Sequence, residues 1–172
     1  MNIETVTQED INTIYDVGEQ DLIEYRRVFM PSDDDCETPS FHYDWSDILL
    51  HGTRNFAIEG FRESAKGQVC IRAHTLYRLT YPSRQYDYII FIMSSQTIAS
   101  KKLKEIQREY LENPFMSSNL VRVLEKNENA FEVDVLDKNG ETVNVRIEAK
   151  GKGTSVRGAS HFERRPKLVV ID

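Results

Sequence analysis

The chain predicts an α/β domain: a mainly parallel central sheet flanked by helices, with a β-hairpin extending one edge and a helical segment over residues 1–52. Three observations carry this. Tyr88–Met93 (YIIFIM) is a continuous apolar run, the mark of a strand buried on both faces. Leu168–Ile171 (LVVI) repeats that pattern. Stretches of helical periodicity lie before and between them, so strand and helix alternate along the chain.

Each element has its own signal. Thr7, Gln8, Glu9 and Asp10 spell a capping box, with Ile11 and Ile14 following at helical spacing. Gly18 is expected to interrupt this helix. Leu22, Tyr25 or Arg26, and Phe29 form a second stripe that ends at Pro31. Asp33, Asp34 and Asp35 sit in a polar loop. Three adjacent acids do not converge the six or more oxygens that Ca²⁺ takes, so the run reads as a solvated turn. Residues 56–58 (FAI) are apolar and expected to form a short strand, followed by Gly60. Val69, Ile71, Ala73, Leu76 and Tyr77 mark a helix over 67–81 that Pro82 closes. Ser94 and Ser95 can cap the next helix, whose face carries Ala99, Leu103, Ile106 and Tyr110 and which ends at Asn113 and Pro114. Residues 120–124 read as a strand. Phe131, Val133 and Val135 alternate with polar residues, as do Val143, Val145, Ile147 and Ala149. Asn139-Gly140 between those runs is a strong hairpin signal. A last buried strand is expected at Leu168–Ile171.

Bulk properties bound the function. The 172 residues suit one domain, and 40% hydrophobic content supports a real core. A net charge of −6 leaves no broad basic surface for nucleic acid. Cys36 and Cys70 make no metal or CxxC pattern, which fits free thiols in a reducing compartment. His42, His51, His74 and His161 have no zinc-like spacing. No apolar run approaches the ~20 residues of a membrane span, and the polar start of the chain is no signal peptide.

The chemistry concentrates at residues 60–68. Gly60, Phe61, Arg62, Glu63, Ser64, Ala65, Lys66, Gly67 and Gln68 lie between an expected strand and an expected helix. A phosphate-binding loop needs that context: backbone N–H groups wrap the phosphates, the helix start adds its positive end, and a lysine reaches the β- and γ-phosphates. Gly60 and Lys66 stand where Gly-x-x-x-x-Gly-Lys-Ser/Thr places its first glycine and its lysine. Ala65 replaces the second glycine, a small change if its backbone stays at negative φ. Gly67 replaces the Ser/Thr whose hydroxyl touches Mg²⁺, so water, Ser64 or Gln68 would have to substitute. Asp172 follows the LVVI strand, as a metal-binding aspartate follows the strand opposite such a loop. Upstream, Phe41 and Trp45 are spaced i and i+4 and read as anchors of a helix to the core, whereas Tyr43 is a candidate adenine contact.

The order of these pieces resembles the ATPase half of the large terminase subunit of tailed bacteriophages, the motor that packages DNA into capsids. The resemblance covers roughly residues 41–172. It rests on FRESAK at 61–66, SSQT at 94–97, VRG at 156–158 and RPKLVVID at 165–172. It implies a partial P-loop ATPase core over 53–172 that binds ATP and Mg²⁺. Lys66 would sit on the β- and γ-phosphates, Arg62 would act on the γ-phosphate, and Asp172 would hold the metal. Arg157 would approach the phosphates or brace the sheet edge. The family's catalytic acid would follow Asp172, so the chain is expected to be part of a larger subunit, with weak Mg-ATP binding and no efficient hydrolysis alone. Implied partners are double-stranded DNA, a portal protein, a small terminase subunit and further copies in a ring, in the cytoplasm of an infected bacterium. A nucleotide-binding module without turnover, a different P-loop enzyme such as a helicase, and a protein that binds no nucleotide remain as alternatives.

Overall fold

β1, Tyr88–Met93, lies inside a five-stranded sheet, as its unbroken apolar run requires. The computed structural model describes residues 8–31, 37–52, 55–154, 160, 161 and 163–172. The expectations for Thr7, Asp33, Asp34, Asp35, Cys36 and Arg157 lie outside those residues. Two compact units divide the chain, Met1–His74 and Thr75–Asp172.

The first unit is helical. α1 spans Gln8–Gln20, α2 Leu22–Phe29 and α3 Ser40–His51. Gly18 does not break the first helix. The break falls at Asp21, whose carboxylate accepts hydrogen bonds from Ile23 N at 2.7 Å and Glu24 N at 2.9 Å and so caps α2. Leu22, Ile23, Tyr25 and Phe29 are buried. α2 packs on α1 and α3, and Leu22 N donates to Ser46 Oγ at 2.9 Å to tie α2 to α3. Residues 55–61 form no regular element, and Phe56 is exposed. The strand expected before the loop is therefore absent: a three-residue apolar run has too little side chain to hold a strand without neighbours. After the loop comes a π-helical segment, Gly67–Ala73, packed against α2 and α3. α4, His74–Thr80, continues it.

The second unit is built on the sheet. β2 is Leu120–Lys126, β3 Ala130–Leu136, β4 Thr142–Gly151 and β5 Leu168–Ile171, in the order β2-β3-β4-β1-β5. β1 pairs in parallel with β4 and β5, whereas β2–β3 and β3–β4 are antiparallel. The architecture is α/β, but the sheet is mixed rather than mainly parallel. The hairpin is not a small appendage: with β2 it supplies three of the five strands, and β4 runs straight on into the pairing with β1. Gly140, at φ 76°, takes the left-handed turn position between β3 and β4.

Each face of the sheet has its own chemistry. Ile89, Phe91, Phe131, Val133, Val135, Val143, Val145, Ile147 and Ala149 are buried along register-matched rows. α5, Gln96–Glu112, lays Ala99, Leu103, Ile106 and Tyr110 on that face, with the Tyr110 ring edge-on to Phe131 at 6.3 Å. The opposite face is charged. Arg146 is buried and donates to Glu125 at 2.6 Å, Glu132 at 2.9 Å and Glu148 at 2.8 Å. Arg164 reaches Glu132 at 3.2 Å, and His161 Nε2 lies 2.9 Å from the same carboxylate. Burial alone would lower the Arg146 pKa, but its bonds to Glu125 and Glu148 raise it. The bond from Arg146 holds Glu125 below the usual carboxylate range. Burial, helped by the bond it donates to Glu148, pushes Tyr88 up to about 12.

β5 departs from expectation. It is an edge strand, with Val169 and Ile171 exposed, rather than one buried on both faces.

Candidate functional site

The loop between residues 60 and 66 is shaped from below by α3. His42 and Trp45 lie on the buried face of that helix. A Cβ on Gly60 would meet Ser64 Oγ at 2.5 Å and the Trp45 ring at 3.1 Å, so only glycine lets the chain pass there without displacement. Phe61 is exposed and sets its ring edge-on to Phe41 at 5.6 Å. Ser64 is buried, and its carbonyl accepts a 2.8 Å hydrogen bond from His42 Nε2.

The backbone then alternates in hand. Glu63 has φ 70°, Ala65 has φ 57°, and Lys66 returns to the right-handed region at φ −49°, ψ −50°. Left-handed geometry costs a residue with a Cβ on the order of 1–2 kcal/mol. Two such residues within three positions, neither of them glycine, mark a segment whose conformation is imposed by its surroundings. The Ser64 N–H is used within the turn, donating to Phe61 O at 3.2 Å, and the left-handed Ala65 followed by the right-handed Lys66 has the backbone pattern of a nest for an anion. The Ala65 carbonyl accepts from Gln68 N at 2.9 Å and Val69 N at 3.0 Å and starts the helix, so the nest opens onto a helix start. The condition under which alanine would be a small change here, a negative φ, is not met. The position uses the conformation for which a glycine is suited, and an alanine occupies it.

The candidate residues separate by what they present. Arg62 and Glu63 are exposed in the turn, and Lys66 is half-buried at the helix start. Gly67 has open space around it: a Cβ there would meet nothing within 4 Å. Ser64 does not offer a metal ligand, because its Oγ is buried toward Gly60; it has no hydrogen-bond partner among the described residues. Gln68 Oε1 accepts from Arg72 Nη1 at 3.1 Å. Of the groups weighed as substitutes for the missing hydroxyl, neither the Ser64 nor the Gln68 side chain is presented to a cation. Among the described residues no cluster of three or more His, Cys, Asp or Glu side chains is arranged to hold a metal. Tyr43 is exposed, and its hydroxyl accepts from Arg27 Nη2 at 3.0 Å, a bond that joins α2 to α3. Trp45 is a packing residue, as its spacing from Phe41 suggested.

In the second unit, Asp172 follows β5, is exposed, and donates its backbone N–H to Ile92 O at 2.9 Å. Ser95 of the SSQT segment caps α5 by accepting from Ile98 N at 3.3 Å. Gln96 is a clamp. Its amide donates to Asn129 at 2.8 Å and Ala149 O at 3.0 Å, and its oxygen accepts from Gly151 N at 2.9 Å. A Cβ on Gly151 would come within 2.3 Å of Gln96 N. Gln96 and Gly151 are thus matched structural parts, as Gly60 and Ser64 are in the loop.

No protein-family model matches the chain, and no curated protein matches it. Sequence reasoning missed His42. It weighed the histidines for zinc alone, and nothing in the local sequence signals a contact to a carbonyl 22 residues away.

Proposed function

We propose that residues 60–68 bind the phosphate groups of ATP, and that the chain is the ATP-binding part of a viral DNA-packaging motor of the terminase large-subunit kind. The observation that carries the phosphate reading is the backbone: Glu63 and Ala65 are both left-handed, and the chain passes from them directly into a helix through Lys66. Lys66 would neutralise the β- and γ-phosphates, and the exposed Arg62 guanidinium would meet charge on the γ-phosphate. Gly60 and Trp45 keep the loop close to α3 beneath that surface. The motor assignment rests on the resemblance of FRESAK, SSQT and RPKLVVID. Double-stranded DNA, a portal protein, a small terminase subunit and a homo-oligomeric ring come with it, as does the cytoplasm of the infected host. Among the described residues no helix is long and apolar enough to cross a membrane. Asp172 is the residue that the resemblance assigns to Mg²⁺.

One observation favours a second reading, nucleotide binding without turnover. Gly67 has no hydroxyl, and the Ser64 hydroxyl is turned inward. Calorimetry separates these cases. Wild-type protein is expected to bind Mg-ATP weakly, with Lys66→Ala losing affinity by at least tenfold, the scale of one charge-assisted hydrogen bond. Equal affinity in both proteins contradicts the phosphate reading. Gly67→Ser restores the hydroxyl in open space. It is expected to raise affinity in Mg²⁺ over that in EDTA if the metal binds at the helix start, and to leave that ratio unchanged in a metal-independent binding module.

A further inference from the structure

We infer that His42 is a positioning residue of the phosphate cradle: its Nε2–H, bound to the Ser64 carbonyl, aims the Ala65 N–H at the anion. The inference rests on the phosphate reading of residues 60–68 and adds a residue that no motif supplies.

The geometry is that of a single peptide unit. Across a planar trans peptide, C=O and N–H point in opposite directions. The Ser64 carbonyl and the Ala65 N–H belong to the same unit. His42 lies on the buried side of the loop, 2.8 Å from that carbonyl. Fixing the oxygen there turns the Ala65 N–H to the other side, away from α3. A carbonyl only accepts, so Nε2 carries the ring proton. Nδ1 is buried and has no hydrogen-bond partner among the described residues, so the ring serves this one polar contact. A donor on the carbonyl also polarises the amide and makes its N–H a better donor to a phosphate oxygen. The ring is held in place by Phe41 at 4.7 Å and Trp45 at 5.2 Å. The contact lies beside both left-handed residues, where a peptide flip would reverse the nest.

Trp45 is the sole tryptophan of the chain, with its ring 5.2 Å from that of His42 and 3.1 Å from where a Cβ on Gly60 would sit, so its emission reports the loop. The test titrates inorganic tripolyphosphate into wild-type protein, Lys66→Ala, His42→Leu and His42→Gln. Glutamine keeps a donor at the reach of Nε2, while leucine keeps bulk and removes the donor. His42→Leu is expected to weaken binding about tenfold, the scale of one hydrogen bond, and His42→Gln to recover affinity to within about threefold of wild type. A merely structural role predicts equal loss in both, and that result overturns the inference. So does binding that Lys66→Ala abolishes but His42→Leu leaves unchanged, which spares the phosphate reading. Wild-type protein that binds no tripolyphosphate overturns the phosphate reading and this inference together. A second measurement needs no variant: the His42 Nε2–H in wild-type protein is expected to exchange slowly with solvent, and rapid exchange contradicts the bond to Ser64.

Discussion

The loop at residues 60–66 and the charged face of the sheet treat polar groups in opposite ways. On the sheet, Arg146 is surrounded by Glu125, Glu132 and Glu148, and Glu132 is shared with His161 and Arg164. Charge is matched there by charge inside the fold. In the loop, two residues with side chains sit at positive φ, the buried Ser64 hydroxyl has no partner among the described residues, and Arg62 and Glu63 face solvent. A satisfied network rigidifies a fold, whereas strain held by neighbouring structure is the condition of a segment kept ready for a ligand. The density of charged residues is thus a poor guide to function in this chain. The sheet has the larger cluster, and its bonds are directed inward.

The largest expected effect falls on the sheet. Arg146→Ala removes the one cation shared by Glu125, Glu132 and Glu148, leaving Arg164 on Glu132 and Lys150 on Glu148, and is expected to destabilise by about 3 kcal/mol, read by urea denaturation. The pH dependence has a definite sign. Glu125 and Glu148 are held below their ordinary values, so their contribution is present above roughly pH 5 and is lost as the pH falls through the folded-state values. Arg146→Ala should flatten that acid limb. A loss below about 1 kcal/mol would remove the contrast with the loop.

A smaller effect of opposite sign is expected in the loop. Ala65→Gly relieves the left-handed Cβ and is expected to stabilise by roughly 1 kcal/mol, less the added freedom of the unfolded chain. Tripolyphosphate affinity should be kept or improved. Destabilisation by this change would show that the loop does not hold Ala65 left-handed in solution.

What the sequence revealed follows from how local each signal is. The apolar run of β1, the Asn139-Gly140 hairpin and the α5 stripe are all patterns within a few residues, and each element forms. LVVI is as apolar as YIIFIM, yet one is an edge and the other central, because strand order is set by partners far along the chain. The mixed sheet has the same origin, since β4 pairs antiparallel with β3 and parallel with β1. Gly18 misled because a helix tolerates glycine at a modest cost, whereas Asp21 offers a cap that starts a new helix. At the site, residue type could not tell whether Ala65 sits at negative or positive φ, because neighbouring structure decides it. The Gly60–Ser64–Trp45 packing and the His42 bond are tertiary contacts that no motif encodes.

The central claim is that backbone amides of this loop, and not the charged face of the sheet, receive a phosphate chain. Amide proton–nitrogen spectra of the labelled protein during an ATP titration test it most directly. The expected result is saturable shifts concentrated at Glu63, Ala65, Lys66 and Gly67, lost in Lys66→Ala. Shifts that leave these four amides unmoved, or that gather on β3 and β4 around Arg146, would contradict it.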